Sequence, residues 1–589
     1  MTSKALDRRQ FLGSTSSVVV LAAAGILPAC SDSATPAEFR YGVASGDPLS
    51  DRVILWTHAR IPNSSDAVGL TWQVASDVGF MSLVQTGRAS ATADTGFTAK
   101  VDATGLMPGG SYYFRFIDDA GSVSAVGQTR TLPQADVASV KFAVFSCSLF
   151  SEGYFNAYDA AAKSDAQYAL HLGDYIYEYS ADPAKYGNAD AVKLDRVTAP
   201  AGEIVSLDDY RTRFARYRSD TALQAVHARM PFITIWDDHE FANNAWVGGA
   251  ENHKSSQGDW TARKNNAARA YHEWMPIRTD ASGNQLKIYR RFDFGRLLTL
   301  HMLDTRIEGR DQQYDSFGDA DQGVTRYLTA LATGTDASRR MMSATQQTWL
   351  TDGIKASNAA WQVLGNQDIM ARIWFPAHVL QAQNAVFANP TPAAQQAVQK
   401  AIGDYLTAKA TRFAGAPLST AQSALLDVRT NPRIPYNLDS WDGYPSQREA
   451  ILQGAKAAGK KLVTLSGDSH NAWFGNLTSL SGEKLGWEFA GTSVTSPGFE
   501  SFGLATVASS LDGTALVPQL GSAAVGAGLG LVDDLAYTET IRRGYLLFTV
   551  TSASVKGEFV FLDTVKSKTY SAAIGKTVTV QASGAVDIR

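Results

Sequence analysis

Short apolar runs recur along this chain, and several end abruptly in clusters of polar residues. Lys141 to Phe145 runs into Ser146-Cys147-Ser148, and Tyr168 to Leu172 runs into Gly173-Asp174-Tyr175-Ile176-Tyr177. Phe232 to Trp236 runs into Asp237-Asp238-His239-Glu240, and Lys461 to Leu465 runs into Ser466-Gly467-Asp468-Ser469-His470. Apolar runs of this length, bounded by turn-forming residues, predict buried strands. Strand ends that carry metal-binding residue types predict one shared site, because ligands of open α/β sheets bind at the C-terminal rim.

Further strands are expected at 297–303 and 361–365. Amphipathic helices are expected over Leu207 to Met230, Thr261 to Trp274, Thr345 to Ser357 and Pro445 to Gly459. That alternation predicts an α/β fold, a large sheet with helices on its faces. The texture before it differs. Residues 39–135 carry short β runs, Val53 to Trp56, Leu70 to Val74 and Tyr112 to Phe116, with Gly, Asp and Pro between them. Gly105 to Tyr113 resembles the late-strand signature of fibronectin type III domains, so a small fibronectin/Ig-like β-sandwich is expected ahead of the catalytic part. The joint falls at Pro133 to Val140, and the catalytic domain is expected over 140–565. Within it, the Ala/Gln-rich stretch 378–430 reads as a helical insertion. Residues 503–538 are rich in Gly, Ala and Ser and give no clear pattern. Gly544 to Asp563 returns to β texture, and 566–589 is read as a C-terminal tail or strand.

A chain of 589 residues with 45% hydrophobic and 19% charged residues has ample material for a large core. A formal net charge of -4 gives no electrostatic case for nucleic acid. The two cysteines, Cys30 and Cys147, exclude a disulfide framework. Arg8-Arg9-Gln10-Phe11-Leu12 precedes the apolar stretch Val18 to Ile26, which resembles a twin-arginine export signal over residues 1–30. The stretch is too short for a comfortable membrane span. Leu27-Pro28-Ala29-Cys30 resembles a lipoprotein cleavage box, so Cys30 is a candidate lipidated residue, with ordinary cleavage a few residues later as the alternative. Residues 31–38 would be a tether. The expected location is periplasmic or cell-surface, the expected partners the twin-arginine machinery and a membrane face.

The individual clusters each allow a bland reading. Tyr175 and Tyr177 could be packing aromatics, Cys147 a small buried hydrophobe, and Asp237 to Glu240 a solvated turn. Each also allows chemistry. A carboxylate at a strand end can bridge two metals, and phenolate forms when a strongly Lewis-acidic ion displaces the proton. Asp468 and His470 are two apart and face one side in an extended loop. The density of charge at 237–240 is costly to bury without counter-ions.

Taken together the clusters resemble the PhoD-type alkaline phosphatases, a branch of the calcineurin-like and purple-acid-phosphatase-like metallophosphoesterases. The resemblance spans nearly the whole chain, from Tyr41-Gly42-Val43-Ala44-Ser45-Gly46-Asp47-Pro48 through Leu303-Asp304-Thr305-Arg306, Leu364-Gly365-Asn366-Gln367 and Ser440-Trp441-Asp442-Gly443-Tyr444 to Phe489-Ala490-Gly491-Thr492-Ser493. It departs from the wider superfamily in two places, where Ser146-Cys147-Ser148 replaces Asp-x-His and Gly467-Asp468-Ser469-His470 replaces Gly-His-x-His. It implies an αββα metallophosphoesterase sandwich. It also implies Fe(3+) on Cys147, Asp174, Tyr177 and His470, with Asp174 bridging to Ca(2+) on Asp238 and Asp468. Asn244, and Asn366 or Gln367, are weaker candidate ligands, and a second calcium is allowed. The chemistry implied is in-line attack of a metal-activated hydroxide on a phosphate ester, with Arg306 stabilising equatorial oxygens and His239 binding phosphate or protonating the leaving group. Hydrolysis of diesters, in the manner of a phospholipase D, is the alternative within that chemistry. Outside it, the chain would be a non-catalytic surface lipoprotein stabilised by a closed metal site, or would use its iron for redox work.

Overall fold

The computed structural model describes residues 35–314, 327–330, 333, 335–501, 504–508, 510, 511 and 529–589. The expected signal, the Cys30 cleavage box and tether residues 31–34 lie outside the described residues, as do 503, 509 and 512–528 of the Gly/Ala/Ser-rich stretch.

Two large mixed sheets carry the fold. At the centre of the first, Ser139–Phe145, Tyr168–His171 and Phe232–Thr234 run parallel. In the second, Leu298–Met302, Trp361–Gly365, Leu462–Ser466 and Lys484–Ala490 run parallel. Tyr168–His171, Leu298–Met302, Trp361–Gly365 and Leu462–Ser466 are buried along their whole length, as parallel strands covered on both faces must be. Side chains of both sheets share one apolar cluster, Phe142, Val144 and Leu170 from the first meeting Leu300, Val363 and Val463 from the second. Phe489 and Phe548 meet edge to face across it at 5.4 Å. Helices cover the outer faces. Tyr158 and Val226, from Asn156–Ala162 and Thr221–Arg229, belong to the shared cluster, while Leu350 and Ile451, from Ala344–Ala356 and Pro445–Ala457, belong to a second one. The order is helix, sheet, sheet, helix, the αββα arrangement.

The helix expected over Leu207 to Met230 is two helices, Leu207–Arg218 and Thr221–Arg229. The break is chemical. Asp220 turns its carboxylate onto the backbone N–H groups of Ala222 and Leu223 and so caps a new start. The 378–430 stretch is helical throughout most of its length, as Ala377–Ala388, Pro392–Phe413 and Thr420–Leu426.

The N-terminal β region contains the expected strands, Arg52–His58, Val68–Ala75 and Ser111–Asp118. Tyr112 closes its late turn, its hydroxyl accepting the Met107 N–H at 2.8 Å. The region is less separate than the sequence suggests. Val43–Gly46, Arg52–His58 and Thr98–Thr104 continue the first large sheet, where Val43–Gly46 lies parallel to Phe232–Thr234. Ionic contacts reinforce the seam. The buried Asp47 carboxylate pairs with Arg290 at 2.6 Å and also accepts the Arg278 N–H. At the other edge, the expected tail is a β-hairpin, Ala572–Gln581 with Val586–Ile588, paired onto Ser554–Leu562. Among the described residues, no helix is long and apolar enough to cross a membrane.

Candidate active site

The three central parallel strands of the first sheet and the four of the second end around one polar cluster. The residues that follow them include Cys147, Asp174, Asp237 and Asp238 from the first sheet, and Arg306, Asp368, Asp468, His470 and Ser496 from the second. The backbone turns sharply at these ends. Cys147, Asp174, Asn244, Asp468 and His470 all have φ between 52° and 61°, the left-handed region that costs an ordinary residue about 1–3 kcal/mol. Gly173 precedes Asp174 with φ of 108°, and a Cβ there would lie 2.3 Å from Asp237 Cβ. The two loops therefore touch backbone to side chain, and only glycine allows it. Glu240 ties them. Its carboxylate accepts the backbone N–H groups of Asp174, Tyr175 and Asp237 at 3.0, 2.5 and 2.7 Å.

The ligating atoms fall into overlapping groups. Donor atoms of Cys147, Asp174 and His470 lie within 4.8 Å of one another, as do those of Asp174, Asp238 and His239. The same holds for Asp237, Asp238 and Asp468, and for Asp368, Asp439 and Asp468. Tyr177 joins the first group, with its hydroxyl 3.0 Å from Asp174 Oδ2, 3.3 Å from His470 Nε2 and 2.7 Å from Ser496 Oγ. Tyr186 and the Pro497 carbonyl hold the other ring nitrogen of His470, at 3.1 and 2.7 Å.

The electrostatics call for cations. Burial, reinforced by the Asp174 carboxylate, pushes the Cys147 thiol and the Tyr177 phenol well above their ordinary values. Burial also lifts Asp174, Asp237 and Asp468, and neighbouring carboxylates, Asp238 among them in each case, add to the rise. Asp238 stays low, at about 2, because His239 and Arg306 outweigh its burial. One oxygen each of Asp237 and Asp238 is buried without a protein hydrogen-bond partner, an arrangement that costs free energy unless something positive meets it. Thiol, phenol, imidazole and clustered carboxylates are a donor set suited to metal ions, and the orphaned oxygens fit that occupancy.

His239 is buried and packs against Tyr177, ring centroids 4.2 Å apart and the planes tilted by 30°. Its Nδ1 meets the fully buried Glu178 carboxylate at 2.6 Å. Glu178 also accepts Asn243 N–H and Asn252 Nδ2, both at 2.8 Å, so the ring is fixed by a carboxylate that is itself fixed. Against its burial, the Asp238 and Glu178 carboxylates raise the His239 pKa well above the usual histidine value.

Four expected residues do other work here. Arg306 is ringed by carboxylates. It is fully buried and pairs with Asp237, Asp439, Asp468 and Asp368 at 2.5, 2.6, 3.0 and 3.0 Å, which commits its planar fork to carboxylates rather than phosphate. Gln367 braces strand ends, donating to the carbonyls of Trp236 and Leu303 at 2.7 Å each and accepting Thr305 Oγ1 at 2.6 Å. The Asn366 amide is held by the Asp368 carbonyl and Trp441 Nε1. Asn244 sends its backbone N–H to Asp238 Oδ2 at 2.5 Å, while its side chain turns to Glu251. Conversely, Asp237, Glu178, Glu240, Asp368 and Asp439 carry weight that sequence reasoning did not assign. Asp368 and Asp439 each adjoin a motif already noted, Asn366-Gln367 and Ser440-Trp441-Asp442.

The family model described as PhoD-like phosphatase matches residues 142–559, and its N-terminal domain model matches 24–133. The chain belongs to the PhoD-like phosphatase family. Its reaction class is therefore hydrolysis of a phosphoric ester, and the clustered donors make it a metal-dependent member. This PhoD-like phosphatase is 34% identical over 477 residues to alkaline phosphatase D of Bacillus subtilis (strain 168), covering 78% of this chain and 70% of that one. It is also similar to a solved structure described as that of PhoD, with a TM-score of 0.71 and 28% identity over 94% of this chain and 92% of that one.

Proposed function

We propose that this phosphatase works with iron(III), which Cys147, Asp174, Tyr177 and His470 would hold, and with one or two calcium ions on the acidic side, for which Asp174, Asp238 and Asp468 would supply carboxylates. The observation that carries this reading is the company Tyr177 keeps. Its hydroxyl lies within hydrogen-bond distance of both a carboxylate oxygen and an imidazole nitrogen, beside a buried thiol. Neutral phenol and thiol gain little there, whereas their anions suit a ferric ion, and hard carboxylate oxygens suit calcium. When bound, such ions polarise phosphoryl oxygens and lower the pKa of water. The protein's own part is positional. Glu178 fixes Nδ1 of His239, which leaves Nε2 for phosphate or for the departing alkoxide, where it donates the proton. Arg306 holds Asp237 and Asp468 in place from behind instead of contacting substrate.

Elemental analysis of the purified protein, with no metal added, tests the assignment. About one iron per chain with one or two calcium is expected, and zinc or manganese alone would overturn it. We also propose that the chain is exported by the twin-arginine route and tethered through Cys30. Cys30→Ala should then release the enzyme from the membrane fraction, and unchanged fractionation would refute the tether.

A further inference from the structure

Against the metal-binding cluster lies a mostly apolar cavity of about 170 Å³. Ile369, Ile373, Tyr436, Trp473 and Phe499 supply its walls, and Asp468, Ser469 and His470 close the side it shares with the metal-binding cluster. One three-residue loop therefore separates the acidic centre from an apolar recess.

The recess is built rather than incidental. Phe499 meets Tyr436 and Trp473 edge to face, with ring centroids at 5.1 and 5.4 Å, so three aromatic rings brace one another. The Trp473 indole N–H is already used, donating to Ser469 Oγ at 2.6 Å, which ties the aromatic wall to the loop of Asp468 and His470. The polar groups at the rim are engaged as well. Ser440 Oγ donates to the Asn437 carbonyl at 2.9 Å, and Asn437 Oδ1 accepts the Asp439 N–H at 2.8 Å. What the recess offers an occupant is chiefly apolar and aromatic surface. An apolar cavity of about 150 Å³ holds one benzene-sized molecule.

We propose that this recess seats the organic group of the phosphate ester and selects an aryl or similarly compact apolar group. The inference rests on the phosphoesterase reading above, since it presumes phosphate at the neighbouring cluster. The loop 468–470 then has two faces in one binding event, with carboxylate and imidazole toward the metals and the Ser469–Trp473 bond toward the ring. A bulky sugar or an extended acyl chain exceeds the recess, and a short alkyl group leaves it unfilled.

The test compares 2-phenylethyl phosphate with ethyl phosphate on the holoenzyme. Both leaving groups are primary alcohols, so the chemistry is held nearly constant. The expected kcat/KM ratio is about 10- to 100-fold in favour of the phenyl ester, the range for burying one ring. Ile373→Phe, which fills the recess from a wall away from the ligating residues, should bring the ratio near one with ethyl phosphate turnover retained. Equal kcat/KM for the two esters in the wild type, or an unchanged ratio in the folded Ile373→Phe variant, would overturn the inference while leaving the phosphoesterase reading intact. Turnover of neither ester, nor of any other phosphate ester, would overturn that reading and this inference with it.

Discussion

Gly173→Ala is the sharpest test of how the Asp174 and Asp237 loops of the first sheet are held. The added Cβ would sit 2.3 Å from Asp237 Cβ and 2.6 Å from its backbone nitrogen. An ordinary contact needs about 3.4 Å or more, so the loops must part by about 1 Å. They cannot part without moving Asp174 or Asp237, because Glu240 clamps the backbone of both. A misplacement of about 1 Å at a catalytic constellation costs on the order of 100-fold in rate. The φ of 108° adds backbone strain, and Gly482→Ala measures that part alone, since Gly482 has φ of 86° with no atom within 4 Å of its added Cβ. The assay is kcat/KM on a phosphate ester, with metal content and melting temperature recorded for both variants. The expected pattern is a loss of about 100-fold for Gly173→Ala and near wild-type activity for Gly482→Ala. A folded, metal-loaded Gly173→Ala enzyme within about twofold of wild type would refute the claim that this contact sets the site.

Other perturbations probe the charge arrangement. Glu178→Gln removes the anion that orients His239 and should lower kcat about 10- to 100-fold with metal content unchanged, as read by steady-state kinetics and elemental analysis. Arg306→Met leaves Asp237, Asp368, Asp439 and Asp468 without their shared cation and should destabilise the fold by about 3–5 kcal/mol in denaturant titrations, where a stability equal to wild type would count against its scaffold role. Chelation should abolish activity and lower the melting temperature together, because the carboxylates then repel one another unscreened; loss of activity at constant melting temperature would contradict that picture. Burial holds His58 and His301 at about 4 and His272 at about 3, below the free value of 6.5. Their folded forms resist protonation, so stability is full above pH 6.5 and falls as pH drops toward 4. The loss is about 2 kcal/mol per histidine at pH 5, and His301→Gln should flatten the pH dependence of the urea midpoint.

Elements set by local pattern were legible in the chain. Trp361–Gly365 coincides with its expected span, and the strand ends that carry Cys147, Asp174, Asp238 and Asp468 were visible as apolar runs meeting polar clusters. What escaped reading was non-local. Arg306 looks like a substrate-facing cation at a strand end, and only the fold reveals four carboxylates, from four different loops, closing on it. Gln367 has an amide that could ligate, but its partners Trp236, Leu303 and Thr305 are 131, 64 and 62 residues away. The helix break at Asp220 did have a local signal, a capping residue within the apolar pattern, which the continuous periodicity on either side obscured.

The continuity of the first sheet bears on how this protein can be cut and shuffled. A fragment starting after residue 135 would strip Val43–Gly46 from Phe232–Thr234 and bare a buried, apolar strand edge. That strand leads directly into Asp237 and Asp238. Exposed edges of this kind invite pairing between molecules, so the isolated C-terminal portion should aggregate and lose its metal ligands' alignment together. The N-terminal region is thus an edge cover that the catalytic sheet carries in its own chain, and it would have to travel with the active site in any rearrangement of domains.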